Sequence, residues 1–127
     1  MSKTFIVHER HDAPWEPSDA HGLPGGMHRV YKSGADDGIQ GIIGTFPPGF
    51  VEPAHTHDDV DHWCVVIEGE MHVDGKVLGP GSYIYAPRGV CHGPFHYPVG
   101  ATIFATVRGP GAFTHEFDTP AGVRPPA

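Results

Sequence analysis

An all-β single domain is the fold class this chain predicts, and three observations lead to it. The 18 Gly and 14 Pro of its 127 residues are spread along the whole length, a density that interrupts regular elements every few residues. No long segment carries apolar residues at helical spacing. From Gly41 onward the apolar runs are short, and each ends on a turn signal. Short strands at regular intervals predict a sandwich or a barrel.

Before about His28 the chain is rich in His, Pro and Asp, with Trp15 between Pro14 and Pro17, which predicts an irregular arm or an edge strand. Ile42–Phe46 is the first core strand, and Asp61–Ile67 is a longer one. Met71–Val73 and Lys76–Leu78 flank Asp74-Gly75, a hairpin signal because a type I′ turn needs positive φ at both central positions. Gly79-Pro80-Gly81 ends that hairpin, Tyr83–Tyr85 follows, and Pro87-Arg88-Gly89 turns the chain again. Ala101–Val107 is the last core strand, stopped at Arg108–Gly111. The Pro-rich end buries too little to order itself. The organisation is therefore an arm with one or more edge strands at residues 1–40, a barrel core at 41–117 and a flexible tail at 118–127, with no internal repeat.

The balance of 8 Lys+Arg against 15 Asp+Glu, a formal charge of -7, offers no phosphate-tracking surface and argues against nucleic acid as a partner. No apolar stretch approaches a membrane span, and residues 1–8 lack the apolar region of a signal peptide, so a cytoplasmic protein without membrane association is expected. Cys64 and Cys91 are too few for a disulfide framework, in keeping with a reducing compartment, and pair only if the fold joins them. Thr4–Val7, a β-prone run able to add to a neighbour's sheet, makes a homodimer the expected assembly.

Histidine carries the chemistry. His55-x-His57 and then His62 stand in one segment and His92 in another, each inside a frame of Gly and Pro. Residues two apart on a strand face the same way, so His55 and His57 can point inward with Thr56 outward, and imidazole is the commonest side-chain metal ligand. His62, Cys64, Val66 and Glu68 share parity, placing Cys64 on the inner wall beside the site. His92 and His96 also share parity if Pro94 does not break the strand.

These residues resemble the two motifs of the cupin family. Gly49, His55-x-His57, His62 and Gly69 match the first, with His62 where the family usually has Glu; Gly81, Pro87-x-Gly89, His92 and His96 match the second, with His96 where Asn is usual. Eight framework positions fall at family spacing between Gly49 and His96. The resemblance implies a jelly-roll β-barrel, a double-stranded β-helix, holding one divalent transition metal on His55, His57, His62 and His92. Iron is the first choice, with Zn, Mn, Ni and Cu open to the same ligands. His62 either ligates directly or stands back from a three-His face like that of the acetylacetone-cleaving dioxygenases.

Four neutral imidazoles cancel none of the ion's charge, which favours an anionic, chelating small-molecule substrate. His96 is the candidate base and Cys64 a second candidate in the chemistry. Asp61 can orient an imidazole, and Arg29 or Arg88 can anchor a carboxylate, although surface roles are the default for all three. The aromatic group Phe46, Phe50, Trp63, Tyr83, Tyr85, Phe95 and Phe104 is assigned mainly to the core, with some members lining the pocket. Three functions compete: a dioxygenase acting on an enolate, diketone or hydroxyketone; a non-redox lyase or isomerase with a Lewis-acid metal, similar to the hydroxynitrile lyases of the family; and a non-catalytic metal- or ligand-binding sensory module.

Overall fold

The computed structural model describes residues 5–10, 12–18, 25–32, 39–110 and 123–124. Within them the strands are β1 (Glu16–Ser18), β2 (Gly26–Lys32), β3 (Ile39–Phe46), β4 (Phe50–Glu52), β5 (Thr56–His57), β6 (Asp61–Gly69), β7 (Met71–Val73), β8 (Lys76–Leu78), β9 (Tyr83–Ala86), β10 (Phe95–Tyr97), β11 (Ala101–Arg108) and β12 (Val123–Arg124). Every pairing is antiparallel. One sheet has the order β1-β2-β3-β11-β6-β9, a second the order β4-β10-β7-β8, and β12 pairs with β5. This is a two-sheet jelly roll with its apolar core between the sheets. Among the described residues no helix is long and apolar enough to cross a membrane.

The pattern of β11 shows how the sequence builds the interior. Ala101, Ile103, Ala105 and Val107 are buried while the intervening residues are not, the two-residue period of a strand with one wet face. The small side chains of Ala101 and Ala105 leave room that Phe or Leu would fill. Across from them stand Cys64 and Val66 of β6, Met71 of β7, and Phe95 and Tyr97 of β10.

The predicted hairpin is present: Val73 pairs with Lys76, and Asp74 and Gly75 have φ of 55° and 72°. Gly69, with φ of 78°, turns the chain out of β6 so close to the neighbouring backbone that a Cβ would overlap the carbonyl oxygen of Gly100. β2 is a seven-residue strand that pairs along β3 from Met27↔Thr45 to Lys32↔Gln40. Only Val123–Arg124 of the expected tail is described, and this segment pairs with β5. Phe5–Val7 is exposed and lies outside any strand.

Two orientations differ from expectation. Between Thr102 and Ile103 of β11 the partner on β6 jumps from Glu68 to Val66, leaving Ile67 as an extra residue. Such a bulge reverses parity, so Glu68 is exposed rather than inward with Cys64 and Val66. Among the aromatics, Phe46, Phe50 and Phe95 pack into the core, whereas Tyr83, Tyr85 and Phe104 are 57%, 50% and 40% exposed and belong to the outer surface.

Candidate metal centre

His55 and His57 are buried at the end of the barrel where β5 begins, and His92 reaches them from the segment between β9 and β10. The strand alternation that puts His55 and His57 on one side leaves Thr56 on the other, where it too is buried and its backbone pairs with β12. The Pro87–Gly89 turn docks on the same segment through a bond from the Gly89 amide to the carbonyl oxygen of His57. Gly49, Gly81 and Gly89 all have positive φ, the left-handed conformation that a tight turn takes at low cost only with glycine.

One ligand-capable nitrogen from each of His55, His57 and His92 lies within 4.8 Å of the other two. Their ring centroids are 4.9 Å (His55–His57), 4.3 Å (His55–His92) and 5.1 Å (His57–His92) apart. The Nδ1 atoms of His55 and His92 lie 2.7 and 3.0 Å from the carbonyl oxygens of Pro53 and Val90. A carbonyl oxygen only accepts, so each Nδ1 carries the proton and each Nε2 keeps its lone pair, the tautomer a metal requires. His62, on β6, stands beside the three, 5.3 Å from His57 and 6.2 Å from His92 between ring centroids. Burial, reinforced by the neighbouring His92, brings its pKa down to about 4, so the ring is neutral at pH 7. Its Nδ1 is buried and has no hydrogen-bond partner among the described residues. Converging imidazoles, two of them with Nδ1 protonated and the lone pair on Nε2, suit a divalent transition metal such as Zn, Fe, Ni or Cu.

His55, His57 and His62 open onto a cavity of about 90 Å³ between the sheets, walled by apolar side chains including Ile42, Phe46, Met71, Phe95 and Ile103. Cys64 lines it, as its parity implied, and burial pushes its thiol up to about 12, so sulfur there is a neutral, small side chain at ordinary pH. Three lining residues carry polar atoms that the sequence reading did not assign to the site: His28 from β2, Glu52 from β4 and Tyr97 from β10. The Tyr97 hydroxyl donates to Oε1 of Glu52 at 3.1 Å, and its ring stacks on Phe46 at 4.2 Å between centroids. Burial first, and then the charge of Glu52, hold the Tyr97 hydroxyl well above its usual pKa. The available signal was the alternation Phe50-x-Glu52, which turns both side chains from the exposed Val51 toward the interior.

His96 does not reach the cluster. Pro94 precedes β10, which begins only at Phe95; Phe95 and Tyr97 then face inward and His96 outward, exposed and paired across the sheet with His72. Asp61 orients no imidazole: it accepts bonds from the backbone amide and guanidinium of Arg88 at 3.0 and 3.2 Å, which pins the Pro87–Gly89 turn to β6. Arg29 lies over the Trp15 ring at 4.5 Å and donates to the carbonyl of Arg10 at 2.7 Å. Cys64 is buried, Cys91 is exposed, and both are free thiols. Of the remaining histidines, His72 meets Glu70 at 3.1 Å and His8 packs against Tyr31, while His11, His21 and His115 lie outside the described residues.

Comparison with known proteins yields the same architecture. A cupin of the RmlC-like type from Ralstonia eutropha superposes with a TM-score of 0.69 at 19% identity, covering 84% of this chain and 70% of its own. An acetylacetone dioxygenase from Acinetobacter johnsonii gives 0.61 at 19% identity, with coverage of 86% and 76%. The complex of Rhodobacter sphaeroides SigE with the anti-sigma ChrR gives 0.57 at 17% identity, with coverage of 79% and 51%. Comparison with curated protein sequences finds no match. The family profile described as the ChrR cupin-like domain matches residues 3–112, nearly the whole chain. With a jelly roll, the paired Gly/His motifs and a converged histidine triad all in place, this protein belongs to the ChrR cupin-like domain family of cupins.

Proposed function

We propose that this chain is a mononuclear metal-dependent dioxygenase acting on a compact chelating substrate of the enolate, diketone or hydroxyketone type. The observation that carries the reading is the convergence of His55, His57 and His92, the first two of which, with His62, line a small, mostly apolar cavity. These three would hold the ion, with His62 as a fourth, neutral donor beside them. When bound, the metal supplies Lewis acidity and, as iron, the means of engaging dioxygen. The protein's part is positioning and exclusion of water. The backbone carbonyls of Pro53 and Val90 set the ligand tautomers, and Phe46, Phe95 and Ile103 wall the chamber. The structural similarity to the Acinetobacter johnsonii acetylacetone dioxygenase supports this substrate class.

The cavity is small, about 90 Å³, which favours compact substrates. Metal analysis of protein expressed without added metals, followed by oxygen consumption with β-diketones, hydroxyacetophenones and flavonols, tests the proposal. Turnover retained without oxygen transfers the assignment to a lyase or isomerase. A second reading, a non-catalytic module that holds metal or ligand for a protein partner, is favoured by the family match and by the ChrR neighbour in complex with SigE. Metal binding without turnover of any of these compounds selects it. A homodimer in the cytoplasm remains part of the proposal; the exposed residues Val65, Ile67, Tyr83, Tyr85 and Phe104 support the assembly, which light scattering at micromolar concentration tests.

A further inference from the structure

Among the described residues lining the lumen, Glu52 is the sole carboxylate. It projects from β4 on the same side as Phe50, and its strand is fastened to β10 through the Phe95↔Glu52 and Tyr97↔Phe50 pairs. Tyr97, 1% exposed and stacked on Phe46, is fixed in position, and its hydroxyl holds one oxygen of the carboxylate at 3.1 Å. Glu52 lies outside the trio of converging donors, so it shares the chamber with the imidazoles without being one of that set. Half-buried, it lines the same cavity as His62, Cys64 and Tyr97.

We propose that Glu52, held by Tyr97, is the proton acceptor of this site and selects substrates that arrive as neutral carbon acids over substrates that arrive as permanent carboxylates. The inference rests on the metal reading above and adds a residue and a specificity to it. A dication held by neutral imidazoles attracts any anion, but a fixed carboxylate in the same chamber repels a second one. A neutral diketone escapes that repulsion. Its C–H bond between the two carbonyls breaks heterolytically, the electron pair passes into the enolate, and the proton goes to an oxygen of Glu52, with no oxidant or reductant consumed. The negative charge thereby moves from the protein to the ligand, and the chamber's net charge is unchanged.

Zinc, which has no redox chemistry, allows binding to be read without oxygen turnover. The zinc-loaded full chain is titrated with acetylacetone and, separately, with oxalate, by calorimetry in two buffers of different ionisation enthalpy, so that proton release is measured directly. The wild type is expected to bind acetylacetone with little proton release, whereas Glu52→Gln, which can still accept the Tyr97 hydrogen bond, releases a proton per ligand. The same variant is expected to bind acetylacetone about tenfold more weakly and oxalate more tightly, a change of about 1.4 kcal/mol per tenfold. Tyr97→Phe, which keeps the carboxylate, is expected to retain the wild-type proton count. Equal proton release by the wild type and Glu52→Gln, or zinc uptake with no binding of acetylacetone by the wild type, overturns the inference while leaving the metal site standing. Failure of the wild type to take up zinc sinks the metal reading itself, and this inference with it.

Discussion

His55 and His92 exchange backbone hydrogen bonds in both directions, each 2.9 Å long, so the two histidine-bearing segments are joined by main chain as well as by their side chains. Their rings then have little freedom to separate, and the Nδ1 bonds to Pro53 and Val90 limit their rotation. The protein's own main chain and carbonyl groups thus hold these donors in place. Preorganisation of this kind favours binding because the ordering cost is already met in folding.

Metal should therefore add to stability without creating the fold. Titrating zinc or iron(II) into metal-free protein should raise the thermal midpoint with the far-ultraviolet circular dichroism unchanged, since a ligand of the native state stabilises it by mass action. His57→Ala and His92→Ala should each abolish most of that increment and lower the bound metal measured by elemental analysis. An increment of wild-type size in both variants would remove them from the ligand set.

Loss of the Tyr97 hydroxyl tests the carboxylate's anchor. Tyr97→Phe keeps the ring stacked on Phe46 and removes the donor to Glu52, which should cost about 0.5–1.5 kcal/mol in urea unfolding. A variant as stable as the wild type would show that the hydrogen bond contributes nothing net.

Asp61 and Arg88 give the acid side of the stability profile. The amide and guanidinium of Arg88 hold the Asp61 carboxyl below its ordinary value, so the unfolded chain binds this proton more readily than the folded one. Stability from the pair is then complete above the ordinary value of 3.8 and is lost as pH falls through the lower folded value. Asp61→Asn should flatten the fall in thermal midpoint below about pH 4, the unperturbed range of an aspartate. Parallel curves for the variant and the wild type would refute the contribution.

The two thiols should separate cleanly. Cys91 is exposed, while Cys64 is 2% exposed with its thiolate disfavoured by burial, so iodoacetamide at pH 8 should modify Cys91 and spare Cys64 until the protein is unfolded. Peptide mass mapping before and after denaturant reads the outcome.

At Gly69, left-handed backbone and close packing coincide. Gly69→Ala meets both the ~1–2 kcal/mol cost of the conformation and an overlap with the Gly100 carbonyl, so its destabilisation should exceed the former alone. Gly75→Ala, where nothing lies within 4 Å of the added Cβ, should show only the conformational part.

The site was legible where a short-range rule decided it. His55 and His57 are two apart on an extended segment, and the turn glycines at 49, 81 and 89 sit where positive φ is required, so motif spacing carried the geometry. It was illegible where a break in periodicity intervened. The bulge at Ile67 turns Glu68 out of the lumen, and the start of β10 after Pro94 sends His96 to the outer face. Glu52 escaped notice because β4 is three residues long and acquires an inward side only by pairing with β10, far along the chain. Tyr83, Tyr85 and Phe104 were read as core because aromatic character alone does not say which face of a strand is wet.

The outward turn of His96 bears on how the protein is handled. Directly across the sheet from it is His72, so two imidazoles stand side by side on the outer face of the four-stranded sheet, near the Glu70 carboxylate. Immobilised nickel resin should retain the untagged chain through this edge, and an elemental assay on freshly purified material counts those ions too. Occupancy of the interior is then read in a His72→Gln, His96→Gln background, where adsorption on the exterior has been stripped away.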